Sequence, residues 1–161
     1  MGPPHRDRPV GQRRGDDRSG RFGRRAFGLD LSERHEQPGI GVDVGGTKIA
    51  AGLVSRDGQV IHRLAVPTPA RDASAREVED VLVKVISVLC GRAACPGPIP
   101  VGIGAAGFVD APGRVVRFSP HVAWREEPVS QRLSDRLGLP VTLENDANAA
   151  GWAEYRFGAA S

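Results

Sequence analysis

Three alternating apolar segments in the first half of the chain constrain its fold more than any other feature. They run from Ile40 to Val44, from Ile49 to Val54 and from Val60 to Val66. Alternation with a period of two is typical of strands that bury one face. Gly45-Gly46 separates the first two segments, and Asp57-Gly58 between the second and third is a strong hairpin signal. The sequence therefore predicts three consecutive antiparallel strands.

A helical pattern follows these strands. Apolar residues from Val78 to Leu89 recur at the three- and four-residue spacing that forms one continuous stripe along a helix. Ser74 and Glu77 have the spacing of a capping box, and Gly91 is a natural C-terminal stop. The apolar face of this helix is therefore expected to pack on the predicted sheet.

Shorter elements complete the pattern. They are a fourth strand at Ile99–Ile103, a short hairpin near residues 115–118, a helix at Pro128–Leu137, a strand at Val141–Leu143 and a helix at Ala147–Tyr155. The order is β-β-β-α-β-(hairpin)-α-β-α. Three antiparallel strands followed by βα units predict an α/β fold with a mixed sheet and helices on its faces. Trp152 and Tyr155 are interpreted as packing residues of the last helix.

The charge distribution separates a tail from a domain. Of the 22 Lys+Arg and 19 Asp+Glu, residues 1–38 contain nine Arg and six acids, so residues 39–161 carry no net charge. Residues 1–38 are also poor in apolar residues and rich in Arg, Gly and Pro. We predict that this tail is disordered and that residues 39–161 form one domain. Because the basic excess lies in the tail, no nucleic-acid partner is predicted.

Membrane, secretory and disulfide-rich classes do not fit the sequence. No apolar run is long enough for a membrane span, and the Arg-rich N-terminus lacks the apolar core of a secretory signal. Two cysteines, Cys90 and Cys95, are too few for a disulfide framework or a four-ligand zinc site. The four histidines show no metal-ligand spacing. These observations predict a cytoplasmic protein with no membrane partner.

The first candidate site is the sequence DVGGTK at Asp43–Lys48, between the first two predicted strands. Adjacent glycines permit positive φ and let backbone N–H groups approach a ligand without a Cβ in the way, which suits a phosphate. Asp43 at the strand end can hold Mg²⁺ directly or through water. Thr47 and Lys48 add a hydroxyl and a positive charge. The alternative is a plain Gly-Gly hairpin with a solvated lysine.

The second candidate site is Glu144–Asn148, at a predicted strand-to-helix junction. Asp146 can serve as a general base, because a hydroxyl nucleophile needs a carboxylate within hydrogen-bond reach to accept its proton. Asn145 offers both a donor and an acceptor, as a polyol ligand requires. The alternative is helix capping, since Asn and Asp are favoured N-caps and a helix N-terminus stabilises a carboxylate.

The third candidate site is the glycine-rich turn at Gly102–Gly107, which follows the fourth predicted strand. Ligands in α/β sheets bind at the carboxyl ends of the strands. The alternative is a tight turn that needs small residues.

In this order and spacing, these motifs resemble the N-terminal lobe of the ROK family of sugar kinases and repressors, most closely the bacterial ATP-dependent glucokinases. The resemblance covers about residues 39–158 through GIGVDVGGTKIAAGLV, VGIGAAGFVD, LGLPVTLENDANAA and GWAEYRFGA. It implies the actin-like, ribonuclease-H-like ATPase fold, whose N-terminal lobe has the order β-β-β-α-β-α-β-α. It also implies ATP-dependent phosphorylation of the 6-hydroxyl of glucose or a related hexose.

The resemblance implies roles for individual residues. The expected ATP-binding residues are those of the first phosphate motif: Asp43, Gly45, Gly46, Thr47 and Lys48. Asp43 is expected to hold Mg²⁺ through water.

On the sugar side, Asp146 corresponds to the catalytic base that takes the proton from the 6-hydroxyl. Asn145 corresponds to a ligand of the sugar hydroxyls, and Ala106 and Gly107 correspond to the loop beside the sugar.

Proteins of this family are considerably longer, so we expect this chain to comprise the N-terminal lobe only and to be inactive by itself. A structural zinc is expected for the family, but its Cys/His ligands are absent from this sequence. A homo-oligomer like those of the family remains open for this chain. The alternative function is a fragment of a ROK-type, sugar-responsive transcriptional regulator, although residues 1–38 are too short and too poor in apolar residues for a helix-turn-helix.

Overall fold

The computed structural model describes Gly2, residues 37–93, Cys95 and residues 97–158. The predicted tail lies almost wholly outside the described residues, so its disorder stays a prediction. The elements, in chain order, are β1 (Gly39–Val44), β2 (Lys48–Val54), β3 (Val60–Pro67), α1 (Ala75–Cys90), β4 (Val101–Ala105), β5 (Phe108–Val109), β6 (Val116–Phe118), β7 (Arg125–Glu127), α2 (Val129–Leu137), β8 (Val141–Asn145) and α3 (Asp146–Phe157). Among the described residues, none of these helices combines the length and apolar character that a membrane span needs.

The predicted element order is confirmed. The fourth strand, however, begins and ends two residues later than predicted. It was predicted at Ile99–Ile103 but runs from Val101 to Ala105. Proline has no N–H to donate to a strand ladder, so regular pairing begins only after Pro100. The carbonyl of Pro100 still accepts the Ile40 N–H at 2.9 Å, and Ile40 pairs with Val101 in the parallel register.

The main sheet has five strands in the order β3-β2-β1-β4-β8. The three N-terminal strands pair antiparallel as predicted, with β1 at the centre of the sheet. β4 pairs parallel with β1, and β8 pairs parallel with β4. Parallel strands that follow one another with helical connections have their carboxyl ends at the same edge. The residues that follow β1, β4 and β8 are therefore neighbours in space.

One face of this sheet carries the core. Ile40, Val42 and Val44 are buried on β1, and the inward residues of the neighbouring strands are buried beside them. The predicted stripe of α1 packs on this face, with the capping box of Ser74 and Glu77 formed at its start. Burial of a large aliphatic side chain contributes about 1.5–3 kcal/mol, so this layer of side chains supplies the main stabilisation of the domain.

The centre of the other face of the sheet, called the bare face below, lacks large apolar side chains. Gly52, Gly41 and Gly102 are direct neighbours on three adjacent strands, and in the next row Gly104 lies beside Asp43. α3 crosses this face, but none of its twelve residues, all of them described, is buried. The predicted packing role of Trp152 and Tyr155 is wrong, since they are 66% and 68% exposed. A cleft thus opens between α3 and a floor of small residues.

The predicted short hairpin is part of a second, three-stranded sheet, β5-β6-β7, whose third strand the sequence did not suggest. β7 has the sequence Arg-Glu-Glu, which lacks the apolar alternation of a strand. It is held in place by Trp124, directly before it, which is fully buried. The side chain of Trp124 thus anchors the segment between β6 and β7 to the core.

The outer edge of β8 is covered by the turn that follows β5. The Leu143 N–H donates to the Gly113 carbonyl at 2.9 Å. Within this turn, the Asp110 carboxylate accepts the N–H groups of Arg114 and Val115 at 2.7 and 2.9 Å. These two hydrogen bonds hold the pKa of Asp110 below its ordinary value of 3.8, and the bond from Val115 has the larger effect. The charged form of Asp110 therefore stabilises the turn.

A buried acid joins α1 to α2. Glu79 lies on α1 with its side chain only 3% exposed, and Arg132 of α2 donates to it from Nε and a terminal nitrogen at 3.0 and 2.6 Å. The same guanidinium contacts Glu127 at 2.7 Å. The apolar stripe of α1 predicts the packed face but not this ion pair, because the partners are far apart in sequence.

We predict that Glu79→Ala lowers the free energy of unfolding by about 2 kcal/mol, since it removes the charged hydrogen bonds from Arg132 to Glu79 while the contact of Arg132 with Glu127 remains. Asp80→Ala is the matched control: it removes the adjacent carboxylate, which pairs with Arg136 at the surface. Loss of that exposed pair should change stability by less than about 1 kcal/mol. Urea unfolding followed by circular dichroism measures both values, and equal effects would contradict a special role for Glu79.

We also predict that the stabilising effect of Asp110 depends on pH. A pKa lowered in the folded state gives stability above the unfolded value of 3.8, which is lost as the pH falls through the folded pKa. Wild type should therefore unfold at higher urea than Asp110→Asn at pH 6, and the gap should narrow towards pH 3. A gap that stays constant across this range would show that the charge of Asp110 is not responsible.

Candidate functional site

The carboxyl end of β1 forms a tight turn with unused donors. The Gly45 N–H bonds to the Lys48 carbonyl at 3.1 Å, and Thr68 fastens the turn from outside through its hydroxyl to the Gly45 carbonyl at 2.8 Å. The N–H groups of Gly46 and Thr47 have no hydrogen-bond partner among the described residues. Two adjacent free N–H groups at a turn are suited to binding the oxygens of an anion.

The glycines of this turn do not adopt positive φ, which corrects one of the two reasons given from the sequence, while the value of lacking a Cβ stands. Neither Gly45 nor Gly46 is among the described residues with positive φ. A Cβ on Gly45 would lie 3.1 Å from the Lys48 carbonyl oxygen, and one on Gly46 would lie 3.0 Å from Cγ of His121. A side chain at either position would therefore crowd the Lys48 backbone or the His121 ring.

Three of the predicted site residues share the cleft on the bare face of the sheet. Asp43, Lys48 and Asp146 line this space, whose volume is about 1010 Å³. Asp43 and Lys48 are exposed, and Asp146 is half-buried. Gly104 separates Asp43 from the start of α3, and a Cβ there would lie 3.6 Å from Cα of Asp146. Gly104 thus adds no side chain to the cleft that Asp43 and Asp146 share.

The junction between β8 and α3 is a helix cap whose residues also keep hydrogen-bonding groups free. Asn145 is the N-cap: its side-chain oxygen accepts the N–H groups of Ala147 and Asn148 at 3.0 and 3.1 Å. Its amide nitrogen donates to the Gly107 carbonyl at 2.8 Å. The capping alternative is therefore correct for Asn145. Since an amide carries two N–H donors, one remains for a ligand.

Asp146 is the first residue of α3 and keeps half of its carboxylate unoccupied. Oδ1 accepts the Ala147 N–H at 2.9 Å, and Oδ2 has no partner within the described part of the chain. A helix N-terminus favours a negative charge at this position. The arrangement leaves one carboxylate oxygen able to accept a proton from a hydroxyl in the cleft.

The predicted site residues Ala106 and Gly107 form a turn that does not line the cleft. The Ala106 N–H lies 3.5 Å from the Val44 carbonyl, and the Ala106 carbonyl accepts the Ser119 hydroxyl at 2.8 Å. Gly107 has φ +156°, and a Cβ there would lie 2.2 Å from the Phe118 carbonyl oxygen. Together with its bond to Asn145, this turn connects the ends of β1 and β8 to the 119–121 segment.

Among the described residues, no group of three or more His, Cys, Asp or Glu could hold a metal ion. A Mg²⁺ ion held by one carboxylate and waters needs no such group. Asp43 fits this requirement, because it is exposed at the strand end on the same cleft as Lys48 and Asp146.

Comparison with known proteins assigns the chain to a family. The sequence profile of the ROK family matches residues 39–161. The chain belongs to the ROK family. A glucokinase of Streptomyces coelicolor is 44% identical to this ROK chain over 119 residues, which are 74% of this chain and 36% of that protein.

Solved structures share the fold of this ROK domain. The crystal structure of a ROK family glucokinase from Streptomyces griseus, in complex with glucose and AMPPNP, matches with a TM-score of 0.70 and 44% identity, over 77% of this chain and 38% of that one. A ROK family transcriptional regulator matches with a TM-score of 0.63 and 18% identity, over 76% of this chain and 31% of that one, which shows the fold alone. The predicted actin-like ATPase fold is confirmed by these ROK glucokinase structures. The chain spans little more than a third of the length of these two glucokinases.

Sequence reasoning missed the residues that tie this ROK site together. Thr68 fastens the DVGGTK turn, Ser119 fastens the Ala106-Gly107 turn, and His121 packs on Gly46. Each contacts a segment distant in sequence, so no local pattern reveals it. The sole signal in the sequence is the pair of glycines at positions 45 and 46. Such a pair indicates that another group packs closely on the turn, but it does not identify that group.

We predict that Gly107→Ala destabilises the ROK domain by more than about 1 kcal/mol, because the new Cβ meets the Phe118 carbonyl and the left-handed φ disfavours alanine. Gly151→Ala is the control, since Gly151 is exposed in α3 and a Cβ there meets nothing within 4 Å. That change should raise stability by up to about 1 kcal/mol through helix propensity. Thermal unfolding measures both, and a neutral Gly107→Ala would refute the steric argument.

Proposed function

We propose that residues 39–158 form the part of an ATP-dependent hexose kinase that binds the nucleotide phosphates and holds the catalytic base. The phosphoryl acceptor is the 6-hydroxyl of glucose or a related hexose. The observation that carries this proposal is the shared cleft: Asp43 and Lys48 approach it from the phosphate turn, and Asp146 approaches it from the start of α3. Phosphoryl transfer needs positioning and charge neutralisation of this kind more than covalent chemistry.

The donor side of the reaction is the turn after β1. The free N–H groups of Gly46 and Thr47 are suited to phosphate oxygens, and Lys48 adds a positive charge on the cleft side. The complex of the Streptomyces griseus glucokinase with AMPPNP, an ATP analogue, supports ATP as the nucleotide. Gly45, whose N–H is already used, serves by keeping the turn tight.

Asp43 is the residue that would hold Mg²⁺, through a bound water. When bound, the ion neutralises charge on the phosphate oxygens. Asp43 and Lys48 lie on the same face of the sheet, in neighbouring rows of side chains across β1 and β2. On its other side, Asp43 pairs with Gly104 in the parallel register. Its neighbours Ala50 and Gly104 are small, so its carboxylate is not shielded from the cleft.

The acceptor side is the junction between β8 and α3. Oδ2 of Asp146 accepts the proton of the 6-hydroxyl as the hydroxyl oxygen forms its bond to the γ-phosphorus of ATP, and the bond from that phosphorus to the bridging oxygen breaks to release ADP. The spare N–H of Asn145 donates to a sugar hydroxyl, and the Ala106-Gly107 turn borders the sugar. Glucose in the complex of the Streptomyces griseus glucokinase supports a hexose as the acceptor.

A chimeric enzyme tests this proposal without depending on the length of the present chain. Residues 39–158 replace the matching segment of the Streptomyces coelicolor glucokinase, and glucose phosphorylation is measured with ATP and Mg²⁺. The chimera should be active, and Asp146→Asn should lower kcat by about 10²–10⁴-fold, the contribution of a positioned base. Glucose binding should persist, because Asn145 and the Ala106-Gly107 turn are unchanged.

Glu144→Gln is the matched control in the same chimera. Glu144 lines the same cleft and accepts bonds from the Asn145 N–H and the Asn148 amide at 2.8 and 3.1 Å, which glutamine preserves. Its kcat should stay near that of the parent chimera. A folded chimera that binds glucose without phosphorylating it, or one unaffected by Asp146→Asn, would argue against the assignment. Robust turnover by the 161-residue chain itself would contradict its expected inactivity.

A further inference from the structure

His121 lies directly on the phosphate turn, in a segment that the proposed function does not use. Its Cγ and Nδ1 atoms are 3.0 and 3.2 Å from the point where a Cβ of Gly46 would be. The residue is exposed, and neither ring nitrogen has a hydrogen-bond partner among the described residues. Both ring nitrogens of His121 are therefore available for hydrogen bonds, next to the unused N–H groups of Gly46 and Thr47.

The position of His121 is fixed by the segment around it. Val122 and Trp124, on its C-terminal side, are buried. The Ser119 N–H donates to the Trp124 carbonyl at 3.0 Å, and the Ser119 hydroxyl donates to Ala106 at 2.8 Å. The 119–124 segment is thus attached to the core at one end and to the sugar-side turn at the other. His121 lies between the two turns to which the proposed function assigns the phosphate and the sugar.

The charges around His121 favour an anion. Arg71 donates to the Pro120 carbonyl at 2.9 Å, and an Arg125 nitrogen lies 3.4 Å from the Ser119 carbonyl oxygen. Among the described residues, no salt bridge involves Arg71, Arg125 or His121. Two guanidinium groups, one from the loop after β3 and one from β7, therefore lie against the carbonyls that immediately precede His121. An oxyanion such as a phosphate suits this environment better than a neutral hydroxyl does.

We propose that His121 is a phosphate-binding residue of this site. It donates a hydrogen bond from a ring nitrogen to an oxygen of the phosphoryl group that the Gly46 and Thr47 N–H groups bind. An imidazole has at least one N–H donor in either protonation state. This inference rests on the proposed function, because it takes the turn after β1 as the site of the nucleotide phosphates. It adds a side chain from the β6–β7 segment to a site otherwise built from β1, β4 and β8.

Nuclear magnetic resonance of the full 161-residue chain tests the inference. The amide signals of Gly46 and Thr47 and the imidazole signals of His121 and His62 are followed during separate titrations with pyrophosphate, AMPPNP with Mg²⁺, and glucose. Pyrophosphate and AMPPNP should shift the turn amides and the His121 ring together, with one common dissociation constant. His62 lies within β3, away from the turn, and its ring should not respond.

Substitution separates direct binding from a packing role. His121→Ala should weaken pyrophosphate binding by roughly tenfold or more, the usual effect of losing a hydrogen bond to a charged group. His121→Gln keeps an N–H donor and should recover part of that loss. His62→Ala is the matched control and should bind pyrophosphate as the wild type does. Circular dichroism checks that each variant folds.

The outcomes distinguish this inference from the function on which it rests. If the turn amides shift but the His121 ring does not, or if His121→Ala binds pyrophosphate normally, the inference is wrong and the phosphate turn stands. If glucose alone moves the His121 ring, the residue belongs to the sugar side and the inference is equally wrong. If neither phosphate ligand shifts Gly46 or Thr47, the proposed nucleotide site fails, and the role of His121 fails with it.

Discussion

The parallel pairing of β1, β4 and β8 is the constraint on which the rest of this structure depends. Backbone hydrogen bonds fix the register, so that Asp43 lies opposite Gly104 and Gly104 lies opposite Glu144. The three carboxyl ends then meet at one edge without any contribution from the site side chains themselves. The turns after β1, β4 and β8 can therefore have different properties. The first is suited to binding an anion, the second packs closely on the 119–121 segment, and the third begins a helix. The three turns remain joined, because Ala106 lies against Val44 and Asn145 bonds to Gly107.

The two faces of the sheet require side chains of different size. The sequence provides both, because large and small residues alternate along the strands. One face needs large aliphatic side chains to hold α1 and α2, and this layer is completed by the buried pair of Glu79 and Arg132. The other face needs small residues, because a cleft must stay open under α3. Gly41, Gly102 and Gly104 would weaken an ordinary strand, yet here they leave room for the carboxylates. The packed face thus supplies stabilisation that the glycine-rich face does not.

The residues that cap the start of α3 are the same ones to which the proposed function assigns sugar binding and proton transfer. Asn145 satisfies two helix N–H groups and also holds the Gly107 turn, while Asp146 uses one oxygen for the helix and keeps the other free. From the sequence alone, capping and ligand binding were competing interpretations. The geometry shows that they are compatible, since a carboxylate and an amide each have more hydrogen-bonding positions than a cap requires.

The sequence by itself determined the element order, the antiparallel meander, the capped amphipathic helix and the family, because alternation, capping and turn signals are local properties of the chain. The helix start at Asp146 and the strand start after Pro100 differed from prediction by a residue or two, since pairing with neighbouring strands sets such ends. Only the tertiary structure decided the contacts between distant segments: Glu79 with Arg132, Thr68 with the turn after β1, and His121 on Gly46. The physical reason is that a side chain's partner across a sheet edge depends on the register and crossing of whole elements, which no local pattern in the chain encodes.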